Sequence, residues 1–206
     1  AAIAGVLVAQ LEPDLAETDR LIQTEKLARA LSDGTLTVAK VIARLREQRS
    51  GYGALLFNDP RLSRNGAMAC ASCHQPARGF SDGLAVAQGL QTGTRNTTSL
   101  FNLDQQRWFG WDGANDNLWA QSLRPLLDAR EMGGSLASVA QAVRGQADLR
   151  DGYQRTFGQP PGRDDERIAV NVAKALAAYQ ETLRTGRTPF DEFRDAVQRG
   201  DRPAMA

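Results

Sequence analysis

The sequence predicts an all-α fold interrupted by long ordered loops, and three observations carry that reading. Apolar residues recur with helical spacing at several places along the 206 residues. No alternating apolar and polar run of useful length indicates a strand beyond minor hairpins. Residues 79–119 are rich in Gly, Asn, Asp and Thr and show no sustained period. They nevertheless carry Phe80, Phe101, Trp108, Phe109, Trp111 and Trp119, an aromatic content foreign to a disordered segment. Length and a 42% hydrophobic content fit one or two compact domains. Lys plus Arg, 25, balances Asp plus Glu, 24, so no general attraction to nucleic acid or anionic lipid is expected. No internal repeat is present.

Along the chain, the apolar run over residues 1–10 is too short to span a bilayer, and Glu12 and Asp14 close it. Two origins stay open for it: the tail of an export segment, or the apolar edge of a first helix. Leu21, Ile22, Leu27 and Leu31 predict a helix that Gly34 stops. A second, capped near Thr37, carries Val38, Val41, Ile42 and Leu45 against a charged face of Lys40, Arg44, Arg46 and Glu47, and is expected to end near Gly51. Residues 52–57 read as a separate short helix stopped at Asn58-Asp59-Pro60. Helical pattern returns over 118–127 and 136–143. It is clearest over 168–183, where Ile168, Val172, Leu176, Tyr179 and Leu183 form one stripe. Asp164, Asp165 and Glu166 suit that helix's N-terminus, and Arg184 followed by Gly186 its end.

The chain has two cysteines and one histidine, and all three fall within Cys70-Ala71-Ser72-Cys73-His74. A two-residue spacer puts both sulfurs on one helical turn, where each can add across a vinyl group of one porphyrin, and the adjoining imidazole then ligates the iron. Zinc would want four Cys or His ligands, and no more exist here. A thioredoxin-like dithiol would need a helix after the motif, which Pro76 and Gly79 interrupt. The expectation is one covalent haem c bound through Cys70, Cys73 and His74, in a cytochrome c-like haem domain over 51–206 preceded by an N-terminal helical segment over 1–50. The aromatic loop region is expected to fold over the haem as its distal wall. Attachment of this type occurs outside the bacterial cytoplasm, so a periplasmic or membrane-associated location is expected.

Beyond the haem motif, further segments lie in a familiar order. They are Leu56 to Gly66 with Asn58-Asp59-Pro60-Arg61-Leu62, then Gly79-Phe80-Ser81-Asp82-Gly83 and Arg95-Asn96-Thr97. Trp111-Asp112-Gly113, Pro125-Leu126 and Glu131-Met132-Gly133 follow. With these the chain resembles the N-terminal, peroxidatic domain of bacterial dihaem cytochrome c peroxidases, a family that includes the enzymes maturing the tryptophan cofactor of methylamine dehydrogenase. The resemblance covers Gly51 to the C-terminus. It implies that Gln121 and Glu131 serve peroxide cleavage on the distal side of the haem, that Trp111 lies between two haems, and that Asn96 helps hold a calcium ion where a second domain is present. Glu131 would move the proton that heterolysis of hydrogen peroxide requires, and Gln121 would orient the bound molecule.

Other uses of the same residues stay open at this point. Glu131 also reads as a solvated charge at a helix end and Asn96 as a turn former. Met132 is the rival sixth iron ligand of a monohaem electron-transfer cytochrome; Met68 lies too close to the haem motif, and Met205 sits in the C-terminal tail. The sequence departs from the family in lacking a second C-x-x-C-H and in stopping about where a second haem domain would begin. It also has no further histidine to block the iron. The expected partner is therefore a redox protein or a second haem domain, and nucleic acid is not expected.

Overall fold

The computed structural model describes residues 26, 28–30, 32–34, 37–201 and 203. The apolar run over 1–10, the residues Leu21, Ile22, Leu27 and Leu31 that predicted a first helix, and Met205 lie outside the described residues. Helix α1 (Val38–Phe57) begins where Thr37 accepts the Lys40 N–H at 3.2 Å. It runs unbroken through Gly51, so residues 52–57 are its last turns and not a separate helix. Gly51, where a stop was expected, sits inside the helix with open space around it, and Gly53 two residues on has a packing role. A Cβ on Gly53 would sit 2.0 Å from the Ala175 carbonyl oxygen, so only glycine lets α1 lie this close to its neighbour.

That neighbour is α6 (Asp165–Gln180), whose N-terminus Asp164 caps through the Arg167 N–H. It buries Ile168, Val172 and Leu176 of the stripe expected from the sequence, with Ala169 and Ala173 beside them; Tyr179 is only partly buried, and Leu183 lies past the helix end at Gln180. Helices α1, α3 (Leu118–Leu127) and α4 (Leu136–Gly145) all pack on it. Burying each large aliphatic there is worth roughly 1.5–3 kcal/mol. Two polar groups in this core are satisfied: Gln180 Nε2 donates to Ser122 Oγ at 2.9 Å, and Tyr52 donates its hydroxyl to the Leu149 carbonyl at 3.0 Å.

Two helices escaped the sequence reading, α5 (Ala147–Phe157) and α7 (Pro189–Arg199). The haem motif forms the single turn α2 (Cys70–Cys73). Among the described residues there is no strand, only isolated antiparallel bridges at Gln75 with Ser81, Gln88 with Thr92 and Phe109 with Asn115. The all-α expectation holds, with a long ordered stretch between α2 and α3. Among the described residues no helix is long and apolar enough to cross a membrane.

Candidate functional site

The haem motif sits where helix packing leaves a gap. Cys70 opens the turn and His74 closes it, donating its backbone N–H to the Cys70 carbonyl at 2.9 Å. Both thiols are free and partly buried. Burial pushes the Cys70 thiol up to about 12 and raises Cys73 as well, and the Glu131 carboxylate adds to both effects. The His74 imidazole packs near Phe57, with ring centres 6.3 Å apart, and engages the Phe80 carbonyl through Nδ1 at 2.9 Å. A carbonyl can only accept, so the proton is on Nδ1 and the Nε2 lone pair is the one a metal would find. Burial lowers the imidazole's proton affinity, and the carbonyls of Phe80 and Thr98 counter it in part.

Phe80 makes this contact from a left-handed backbone, φ 58°, which non-glycine residues rarely adopt. Its ring is locked between Phe57 and Phe101, at 6.5 and 5.3 Å, and its own N–H bonds to the Gln75 carbonyl at 2.8 Å. Beside it, the buried Asp82 accepts from Thr97 Oγ1 at 2.8 Å and from the Leu84 N–H at 3.0 Å. Burial works against its charge, but these bonds outweigh burial and hold the carboxyl below its ordinary range.

Phe57, Cys70, Cys73 and His74 border a cavity of about 650 Å³, a volume suited to a sizeable organic cofactor. Every site residue expected from the sequence lines it: Cys70, Cys73, His74, Asn96, Trp111, Gln121, Glu131 and Met132. Leu100, Leu103, Phe109, Leu118 and Leu176 supply apolar walls. Paired thiols on one turn, an available imidazole nitrogen and an apolar slot fit a covalently bound haem c.

On the side of α3, Gln121 accepts a hydrogen bond from Asn115 Nδ2 through Oε1 at 2.7 Å. Glu131 lies in the turn after α3, and its backbone is fixed by the segment over residues 88–91. The Leu90 N–H bonds to the Glu131 carbonyl at 3.0 Å and the Gln91 N–H to the Arg130 carbonyl at 2.9 Å. A Cβ on Gly89 would lie 2.4 Å from that Arg130 oxygen, so close approach again selects glycine. The Glu131 side chain is open to the cavity. Surrounding protein nonetheless raises its carboxyl above the ordinary range, chiefly by desolvation and then by the Asp128 carboxylate, with Arg124 and Arg130 opposing. Met132 is only 5% exposed, and its backbone is tied at both ends, to the Pro125 carbonyl and the Arg64 N–H.

The aromatic stretch behaves in two ways. Phe109 is buried and lines the cavity, Phe80 is buried beside His74 without lining it, and Trp108 and Trp111 are 65% and 58% exposed. Trp111 stands at the cavity rim with its indole N–H donated to the Asn96 carbonyl at 3.0 Å. Neighbouring Asp112 pairs with Arg95 at 3.3 Å and with Arg124 at 3.7 Å. Asn115, which touches the site through Gln121, was not found from the sequence; no local signal marks it. Among the described residues no cluster of three or more His, Cys, Asp or Glu is arranged to hold a metal ion.

Comparison with known proteins gives one consistent answer. A family model described as di-haem cytochrome c peroxidase matches residues 47–199. Methylamine utilization protein MauG of Paracoccus denitrificans is 40% identical over 174 residues, 74% of this chain and 44% of that protein. MauG of Methylorubrum extorquens is 38% identical over 72% of this chain and 42% of its own length. Cytochrome c551 peroxidase of Pseudomonas aeruginosa is 33% identical over 71% of this chain and 42% of its own length. Among solved structures, a MauG-like protein associated with microbial copper homeostasis superposes with a TM-score of 0.63 at 30% identity, over 73% of this chain and 45% of that one. The dihaem peroxidase BthA of Burkholderia thailandensis gives 0.62 at 28% identity, over 72% of this chain and 41% of that one. The chain thus spans less than half the length of the relatives it matches.

Proposed function

The chain belongs to the di-haem cytochrome c peroxidase family, and from that premise we propose that it is a peroxidatic haem domain carrying one haem c. The observation that carries this reading is that the haem-attachment residues and the pair Gln121 and Glu131 border one cavity. The haem, held through Cys70, Cys73 and His74, supplies a redox-active iron.

Glu131 is the proton carrier. It takes a proton from one peroxide oxygen and gives it to the other, which departs as water when the O–O bond breaks. The raised proton affinity of its carboxyl suits this task, because an acid closer to neutrality both gives and accepts. Gln121 holds the peroxide by hydrogen bonding. The whole reaction consumes one hydrogen peroxide, two protons and two electrons and forms two waters. The electrons come from a redox protein partner or a second haem domain, and the alternative use of the same oxidising power is oxidation of a partner. Trp111, exposed at the rim, is the entry point for that traffic, and Asn96 beside it helps hold a calcium ion where a second domain docks. The protein works in the periplasm, free or membrane-associated, where haem attachment of this kind is completed. Similarity to peroxidases and MauG does not favour the monohaem electron-transfer reading with Met132 on the iron.

Absorption spectroscopy of the purified ferric protein tests the reading. A high-spin spectrum, ready cyanide binding and peroxide turnover that Glu131→Gln lowers by about 10² or more support it. A low-spin methionine-ligated spectrum that Met132→Ala converts to high spin would overturn it.

A further inference from the structure

We propose that Asn115 is a positioning residue that decides which end of the Gln121 carboxamide faces the cavity. The proposal rests on the distal role given to Gln121 above. Gln121 lies in the first turn of α3, and its oxygen is occupied from behind by Asn115 Nδ2 at 2.7 Å. An amide tied by its oxygen presents its nitrogen, with two N–H donors, on the other side. No protein acceptor among the described residues takes that nitrogen, so the cavity meets a donor. Asn115 does not itself line the cavity, and its side chain reaches it through Gln121.

The surroundings hold Asn115 still. Its backbone is bridged in both directions to Phe109, at 2.8 and 3.4 Å, and Phe109 is 6% exposed. The turn between them passes through Gly110 at φ +84°, whose missing Cβ would stand 3.1 Å from Gln121 Oε1 and 3.2 Å from Asp112 Oδ1. Asp112 in turn pairs with Arg124, a residue of α3 itself. Hairpin and helix are thus clasped around the Gln121 oxygen. Asparagine can donate to that oxygen, whereas an aspartate carboxylate only accepts and would draw in the amide nitrogen instead. One substitution should therefore reverse the amide and turn a donor facing the cavity into an acceptor.

Haem-loaded wild type is compared with Asn115→Asp, Asn115→Leu, Gln121→Leu and the double variant Asn115→Asp with Gln121→Leu. Two readouts report hydrogen-bond donation without turnover: the C–O stretch of the ferrous carbonyl form and the fluoride affinity of the ferric form. Asn115→Asp is expected to raise the stretching frequency and weaken fluoride by about tenfold or more, the loss of one charge-assisted hydrogen bond. Asn115→Leu, which frees the amide without adding charge, should broaden or split the carbonyl band. In the Gln121→Leu background the added Asp should change neither readout. Equal changes in both backgrounds would mean that the aspartate acts by its charge alone, and the proposal fails. If Gln121→Leu moves both readouts and neither Asn115 variant does, Asn115 alone loses its role. If Gln121→Leu moves neither, the distal role of Gln121 falls and takes this proposal with it.

Discussion

The His74 imidazole donates from Nδ1 to the Phe80 carbonyl at 2.9 Å, and Phe80 offers that carbonyl from a left-handed backbone. The orientation of the chain's single imidazole therefore depends on a conformation that the buried Phe80 ring, wedged against Phe57 and Phe101, keeps in place. Phe80→Ala should cost about 3–5 kcal/mol through the lost ring. Glycine ordinarily costs about 0.5–1 kcal/mol more than alanine, but a left-handed backbone charges alanine about 1–2 kcal/mol that glycine escapes. Phe80→Gly is expected to be at least as stable as Phe80→Ala in denaturant titration of the haem-loaded protein. A clearly weaker glycine variant would contradict the strain.

Glu131 gives a pH signature whose sign is fixed by the raised carboxyl. The folded state keeps the proton at pH values where the unfolded chain has lost it, so stability falls as pH rises from the ordinary carboxylate range through the raised one. Above that window the wild type carries a cost that an amide lacks. Glu131→Gln should therefore be more stable than wild type at neutral pH and equal to it below the ordinary carboxylate range, while losing peroxide turnover. Urea titrations at the two pH values decide it.

The two glycines of α1 should respond in opposite directions. Gly51 has nothing within 4 Å of the point where an alanine methyl would sit, and Gly53 has a backbone oxygen at 2.0 Å. Gly51→Ala is expected to stabilise by about 0.5–1 kcal/mol, the helix preference alone. Gly53→Ala should destabilise by about 3 kcal/mol or more, since α1 and α6 must separate. Thermal melts of the two variants read this directly; similar shifts would mean the helices do not meet as closely as described.

Trp111 offers a separation of electron entry from distal chemistry. Its exposed indole makes one hydrogen bond, to the Asn96 carbonyl, so Trp111→Phe should change stability by about 1 kcal/mol or less. The same variant is expected to slow reduction of the haem by a protein donor while leaving the ferrous carbonyl spectrum untouched. Stopped-flow reduction measures the first effect, and an unchanged rate would remove Trp111 from the electron path.

Much of the site was legible because its chemistry needs scarce residues. Cys70, Cys73 and His74 are the only ones of their kind, and the stripe of Ile168, Val172 and Leu176 matches the buried face of α6. Helix α5 stayed hidden because it buries Gly152 and Thr156 beside Leu149, Tyr153 and Phe157, which blurs the apolar period. Helix α7 inverts the usual pattern: Ala196 is buried while Phe190, Phe193 and Val197 face outward. Gly51 suggested a helix end because the sequence cannot distinguish a breaker from a glycine tolerated inside a helix, and nothing local marked Gly53 as the point of close crossing. Trp108 read as part of the haem wall and is instead exposed away from the cavity lining, since aromatic composition alone does not say which rings point inward.

The segment over residues 88–91 has a further consequence. Gln88 offers its carbonyl to Cys73 Sγ at 3.7 Å, and the residues that follow pair with the backbone at Arg130 and Glu131. One short stitch thus touches both the attachment side and the reactive side of the slot. An inserted or deleted residue there would shift both at once, so the connector acts as a ruler for the gap, and its length is as constrained as the side chains it separates.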